Sequence, residues 1–161
     1  MIVVADTSPL NYLVQIGTVD VLRPLYTRVL IPKAVAEELK AIDAPVVVQT
    51  WIAHPPEWLE VHPEPAVDPS LEFLDPGEAA ALTLAELLHA DGVLIDDWAG
   101  RMEAERRNLH VTGTVGVLAE AHVAGLLDFD QALINLRSTN FRLSAEVERV
   151  ARQRLSSRDK E

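Results

Sequence analysis

Two short apolar runs in this chain end in an acid. Ile2-Val3-Val4-Ala5 leads into Asp6, and Val93-Leu94-Ile95 leads into Asp96-Asp97. A carboxylate at the end of a buried parallel strand stands where open α/β sheets bind their ligands. Such an acid can instead cap the helix that follows. Ser8 is the better cap for a helix that Pro9 begins, which leaves Asp6 without a structural duty. In the Asp96-Asp97 pair one cap suffices. Asp97 is nearer the next helix and stands four residues before Arg101, a spacing that allows an ion pair. Asp96 is then the candidate ligand, with Asp97 the alternative.

Two glutamates extend the set. Val35, Leu39 and Ile42 at i, i+4 and i+7 define the buried stripe of one helix. At about 100° per residue, Glu38 falls roughly 60–70° from the stripe centre, within reach of a cleft, and Glu37 faces solvent. Glu38 taken alone reads equally as an ordinary boundary residue. Asp75-Pro76-Gly77-Glu78 reads as an N-cap followed by an acid at N3. Yet Glu78 shares a helix face with Leu82 and Ala85, and an acid on an inner face is unusual. Both readings of Glu78 stand. Clustered carboxylates suit Mg²⁺ or Mn²⁺, hard cations that prefer oxygen ligands. Paired ions about 3.5–4 Å apart can activate water and stabilise the leaving oxygen of a phosphodiester.

Other residues carry less signal. Thr112-Gly113-Thr114 lies where a strand meets a helix, and its hydroxyls and N–H groups can hold a phosphate or simply form a turn and cap. The five histidines show no zinc-ligand spacing. Trp51, Trp58 and Trp98 read as core or loop anchors rather than as platforms for bases. No Gly-rich phosphate loop and no Ser-His-Asp signature is present.

These residues need a scaffold, and the pattern of elements supplies one. Strands are expected at 2–5, 28–31, 59–61, 93–95 and 110–112. Helices are expected after Ser8 and over 18–26, 32–42, 44–53, 76–89, 98–108, 114–124, 128–138 and 143–156. Alternating strands and helices imply an α/β fold with a parallel sheet covered on both faces. Segment 54–76 holds six of the ten prolines and reads as a long loop around a weak strand. Neither side of it has enough strands to close a core alone, so 1–161 reads as a single domain.

The chain has 161 residues, a net charge of −11 and no cysteine. Disulfides, thiolate zinc sites and a cysteine nucleophile are excluded. With no secretory signal and no membrane-length apolar run, a cytoplasmic location is expected. Residues 1–136 hold 7 Lys or Arg against 21 Asp or Glu, whereas 137–161 hold 7 against 4. An acidic globule repels nucleic acid. Nucleic-acid chemistry here therefore needs bound cations, a basic patch or a basic partner. The tail offers such a patch. Val147, Val150, Ala151 and Leu155 make an apolar stripe, and Arg142, Arg149, Arg152, Arg154 and Arg158 are expected to face RNA or an acidic partner. Arginines favourable to a helix dipole in a solvated helix end are the plainer alternative.

The order V-V-A-D-T-S, I-P-K-A-V-A-E-E-L, P-G-E-A-A-A-L-T-L-A, V-L-I-D-D-W-A-G-R and V-T-G-T-V-G-V-L resembles PIN-domain proteins, from residue 2 to about 155. It looks closest to a VapC-like branch of bacterial and archaeal toxin–antitoxin loci. The resemblance implies a three-layer α/β/α fold with a central parallel sheet of 4–5 strands, and an acidic Mg²⁺ or Mn²⁺ site that cleaves RNA. By position it puts the family's acids on Asp6, Glu38, Glu78 and Asp96, with Asp97 a close alternative. Glu78 departs from the family's commoner aspartate. Thr7 or Ser8 falls where the family places a hydroxyl beside the metal, and Arg101, Thr112 and Thr114 join them as candidate substrate contacts. It implies an RNA substrate, a small antitoxin protein as partner, and a homodimer. An inactive PIN-like binding module is the non-enzymatic rival, and retention of all four acids argues against it. A haloacid-dehalogenase-like phosphatase also begins with a strand ending in Asp, but needs a second Asp where Ser8 stands.

Overall fold

The computed structural model describes residues 1–158; residues 159–161, the end of the Arg-rich tail, lie outside the described residues. Five strands form one parallel sheet: β1 (Ile2–Ala5), β2 (Arg28–Pro32), β3 (Leu59–His62), β4 (Gly92–Leu94) and β5 (His110–Thr112). Their spatial order is β3-β2-β1-β4-β5. The helices are α1 (Thr7–Gln15), α2 (Leu22–Leu25), α3 (Lys33–Lys40), α4 (Val46–Ala53), α5 (Pro76–Leu87), α6 (Trp98–Arg106), α7 (Thr114–Val123), α8 (Phe129–Arg137) and α9 (Ala145–Arg158).

Alternation along the strands sorts the core into two layers. Val3, Ala5, Val29 and Ile31 pack with Leu10, Leu13, Val35, Leu39, Leu118 and Phe129 from the helices on one face. Val4, Leu30, Val93 and Ile95 pack with Ala81, Leu82 and Ala85 of α5 on the other. The fold is thus the three-layer α/β/α arrangement with five parallel strands. Burying a side chain such as Leu10 or Leu39 contributes about 1.5–3 kcal/mol. Among the described residues no helix is long and apolar enough to cross a membrane.

The topology reverses between β1 and β4, which are adjacent although far apart in sequence. Val3 is level with Gly92 and Ala5 with Leu94. Beyond the last register pair the Asp6 N–H donates to the Leu94 carbonyl at 2.8 Å. A crevice at the carboxyl ends of two such strands is where doubly wound sheets bind ligands.

Three expectations change. The stripe through Ile42 fails: α3 stops at Lys40, Ala41 is extended, and Ile42 is 97% exposed. The turn is held by the Gln49 side-chain amide, which donates to the Ala44 carbonyl at 2.6 Å, and Pro45 disfavours helix at the preceding residue. Helix α1 begins at Thr7, so Asp6 rather than Ser8 occupies the N-cap position, without a side-chain capping bond. The proline-rich segment is more ordered than a loop. The strand expected at 59–61 is present as β3 at the sheet edge; what the loop reading lacked is a 3-10 turn, Pro69–Leu71, whose Leu71 is fully buried. Arg107 fastens that turn to the helices behind it, donating to Ser70 Oγ at 2.8 Å, to Glu103 at 2.8 Å and to Glu86. This fixes the approach to Asp75 and α5.

Candidate active site

The carboxyl edge of the sheet opens into a cleft of about 1060 Å³. Asp6, Glu38, Glu78, Asp96 and Asp97 all line it, with Asp75 beside them. Each is set by a helix start or a helix face. Asp6 precedes α1, Asp75 and Glu78 open α5, and Asp96-Asp97 precede α6. Helix N-termini carry partial positive charge, which favours acids there.

Asp6 is 5% exposed, and its Oδ1 is buried with no hydrogen-bond partner. Burial pushes its carboxyl from 3.8 up to about 8; the Thr7 N–H opposes this, and nearby Asp75, Glu38 and Asp96 add to it. Glu78 is also pushed up to about 8, first by burial and then by Asp75, Asp6 and Asp97. Its N–H is capped by Asp75 at 2.9 Å, as the sequence pattern suggested. Cap and inner-face acid are therefore not alternatives: the backbone takes the cap and the carboxylate faces the cleft. Glu38 is raised too, by burial first, with Thr7 lowering it and Asp75 raising it. Glu37 is exposed, as expected.

The hydroxyls hold carboxylates. Thr7 donates to Glu38. Ser8 donates to Asp96 at 2.8 Å, and Thr114 donates to Asp96 from both its N–H and its hydroxyl at 2.7 Å. Both polar groups of Thr114 are thus engaged with Asp96. Thr112 is buried. Asp97 caps α6 by accepting from the Ala99 N–H at 3.2 Å. Arg101 does not pair with Asp97 among the described residues; it reaches the Ile95 carbonyl at 3.4 Å.

Two glycines let the acids lie on backbone. A Cβ on Gly77 would stand 2.5 Å from Glu38 Oε1. A Cβ on Gly113 would stand 2.9 Å from Asp96 Oδ1 and 2.6 Å from Arg101 Nη1. The glycines of P-G-E and T-G-T are the sequence signals of this close approach, and they are easily passed over as ordinary turn residues.

The tail divides. Arg149 pairs with Glu146, Arg152 with Asp130 and Glu148, and Arg158 with Glu120. Arg142 and Arg154 line the cleft instead, and among the described residues neither forms an ion pair. The expectation that all five arginines face a ligand therefore narrows to two. Trp51 and Trp58 pack together, centroids 6.2 Å apart. Trp98, expected as an anchor, is 74% exposed at the cleft rim. Sequence reasoning also missed Asn11, Tyr12 and Asn140 in the cleft wall, where the Tyr12 hydroxyl donates to Asn140 at 2.9 Å. Polar residues on an otherwise apolar helix were the available signal for Asn11 and Tyr12.

A family model described as PIN domain matches residues 2–157. This chain belongs to the PIN-domain family. PIN domains are generally nucleases, and the acids of this PIN domain line one cleft at the carboxyl ends of its strands. No match was found among curated proteins or among solved structures.

The residues of this PIN domain fit a divalent cation. A buried carboxylate oxygen without a partner lacks a positive neighbour, and an all-oxygen donor set suits Mg²⁺ or Mn²⁺. Among the described residues no three acids or histidines are drawn to a common point close enough to hold an ion.

Proposed function

We propose that the chain is a cytoplasmic, Mg²⁺- or Mn²⁺-dependent endoribonuclease, and the toxin of a type II toxin–antitoxin module. The observation that carries the nuclease reading is the unpartnered Oδ1 of Asp6, buried beside Glu38, Glu78 and Asp96 at the carboxyl ends of the adjacent strands β1 and β4. The toxin assignment, the small antitoxin and the homodimer rest on the motif resemblance alone.

Asp6, Glu38, Glu78 and Asp96 would hold the metal, with Asp97 at the edge of the set. A bound divalent cation supplies Lewis acidity and makes water a usable nucleophile near neutral pH. The chain's own residues do the rest. Asp6 and Glu78 give up protons on loading, because their raised affinity for protons competes with the metal. Thr7 fixes Glu38, and Ser8 with Thr114 fixes Asp96, so that two of the four carboxylates are oriented before metal arrives. Arg101 lies over Gly113 beside Asp96 and can bind a phosphate of the RNA.

The test is cleavage of RNA by purified protein with Mn²⁺, Mg²⁺ or EDTA. Metal-dependent cleavage that is lost in Asp6→Asn and Glu78→Gln supports the reading. Metal-independent cleavage, or full activity in both variants, overturns it. A non-catalytic RNA- or protein-binding PIN module is the second reading, favoured by the lack of a closed ligand set among the described residues. RNA binding without cleavage at saturating Mn²⁺ would select it.

A further inference from the structure

The acids share their cleft with residues of a different character. There α9 presents Val147 and Val150, 44% and 39% exposed, with Arg142 and Arg154 beside them. Arg154 Nη1 lies 3.7 Å from where a Cβ on Gly116 would stand, so the guanidinium overlies the start of α7. The other tail arginines are neutralised by Glu146, Glu148, Asp130 and Glu120. In a chain of net charge −11, these two cations on the cleft wall stand out. Trp98 lies on the same cleft, directly after the Asp96-Asp97 pair. Holding a large ring 74% in water has no packing benefit.

We infer that Trp98 is a stacking platform for one nucleobase beside the reacting phosphate, and that Arg142 and Arg154 bind neighbouring phosphates along the same cleft. This rests on the nuclease reading above and adds to it the residues that set which phosphodiester enters the site. An exposed indole offers a face to any unpaired base, and arginines track the backbone. The wall is thus a specificity surface: the base on Trp98 fixes register, and the arginines fix direction. A paired base keeps its faces stacked on its neighbours, so the platform accepts an unpaired one.

The test uses the full chain carrying Asp6→Asn, which binds without cutting, and two probes. One is a fluorescein-labelled single-stranded oligouridylate RNA; the other is an abasic ribose-phosphate strand of the same length. Trp98→Ala should weaken binding of the base-bearing strand by about tenfold and leave the abasic strand unchanged. Arg142→Ala with Arg154→Ala should weaken both, and lower the salt slope by about 0.7 for each phosphate no longer neutralised. In the enzyme with Asp6 intact, each change should raise KM and leave kcat and the Mn²⁺-induced rise in melting temperature as in the parent. Equal loss on both probes for Trp98→Ala overturns the stacking role. Parent affinity in the double arginine variant overturns the phosphate role and leaves that wall to a protein ligand. Parent cleavage with unchanged variants defeats only this inference, whereas a parent that neither binds nor cleaves RNA defeats the nuclease reading with it.

Discussion

Replacing Asp6 with asparagine should stabilise the metal-free protein while abolishing cleavage. The folded site pushes the Asp6 carboxyl from 3.8 up to about 8. A raised pKa means that the fold binds the proton more tightly than the unfolded chain does. The stability it contributes is fully present below pH 3.8 and is lost as pH rises through about 8. At about 1.4 kcal/mol per unit, the penalty on folding reaches about 4 kcal/mol near pH 7 and is under about 2 kcal/mol near pH 5. An amide carries no charge and removes the penalty. Local relaxation and water entry reduce the gain, so about 2–4 kcal/mol is expected near pH 7. For a chain of this size that is a rise of roughly 5–10 °C in melting temperature. Scanning calorimetry across about pH 5–8, in EDTA, reads the effect. Wild type should lose stability with rising pH relative to Asp6→Asn, and the two should converge in acid. Mn²⁺ should then raise the wild type by mass action, about 2.7 kcal/mol at a hundredfold excess over Kd, and leave the variant unmoved. An Asp6→Asn protein that melts below wild type near pH 8, with the same pH profile, would refute the reasoning.

Other outcomes follow from the same geometry. Mn²⁺ affinity should rise between about pH 6 and 8, with proton release, because Asp6 and Glu78 both hold protons up to about 8; calorimetric titration in buffers of different ionisation enthalpy counts those protons. Gly77→Ala should displace Glu38, whose Oε1 would lie 2.5 Å from the new methyl, and lower cleavage by about 10–100-fold with little change in melting temperature. Leu39→Ala should cost about 2–5 kcal/mol, whereas Ile42→Ala should stay within about 0.5 kcal/mol, since only Leu39 is buried; urea unfolding compares them.

Much of the scaffold was legible because strand and helix periods differ. All five strands and the acids at the ends of β1 and β4 could be placed from apolar runs and turn residues. Glu38 could be told from Glu37 because adjacent residues on a helix lie about 100° apart, which puts one at the stripe edge and the other in solvent. What failed was extrapolation past an unseen stop. The stripe continued through Ile42 only if α3 did, and the chain turns at Ala41 instead. Side-chain partners chosen by sequence spacing also failed where tertiary partners compete. Ser8 and Thr114 spend their hydroxyls on Asp96, across the sheet edge, and no local rule announces that. The tail arginines looked alike in sequence. Their carboxylate partners, Asp130 and Glu120 among them, come from helices 22 and 38 residues away. Trp98 looked like an anchor because most tryptophans bury, and only its position on the exposed start of α6 reveals the contrary.

The central claim is that Asp6, Glu38, Glu78 and Asp96 form one divalent-metal site at the carboxyl ends of β1 and β4. The most direct measurement is a crystal grown in Mn²⁺ and measured for anomalous scattering at the manganese edge. The account predicts a peak within coordination distance of the Asp6 carboxylate, shared with at least one of Glu38, Glu78 and Asp96, and absent in Asp6→Asn. An empty cleft at saturating Mn²⁺, or a manganese peak bound elsewhere with Asp6 Oδ1 still unpartnered, would contradict it.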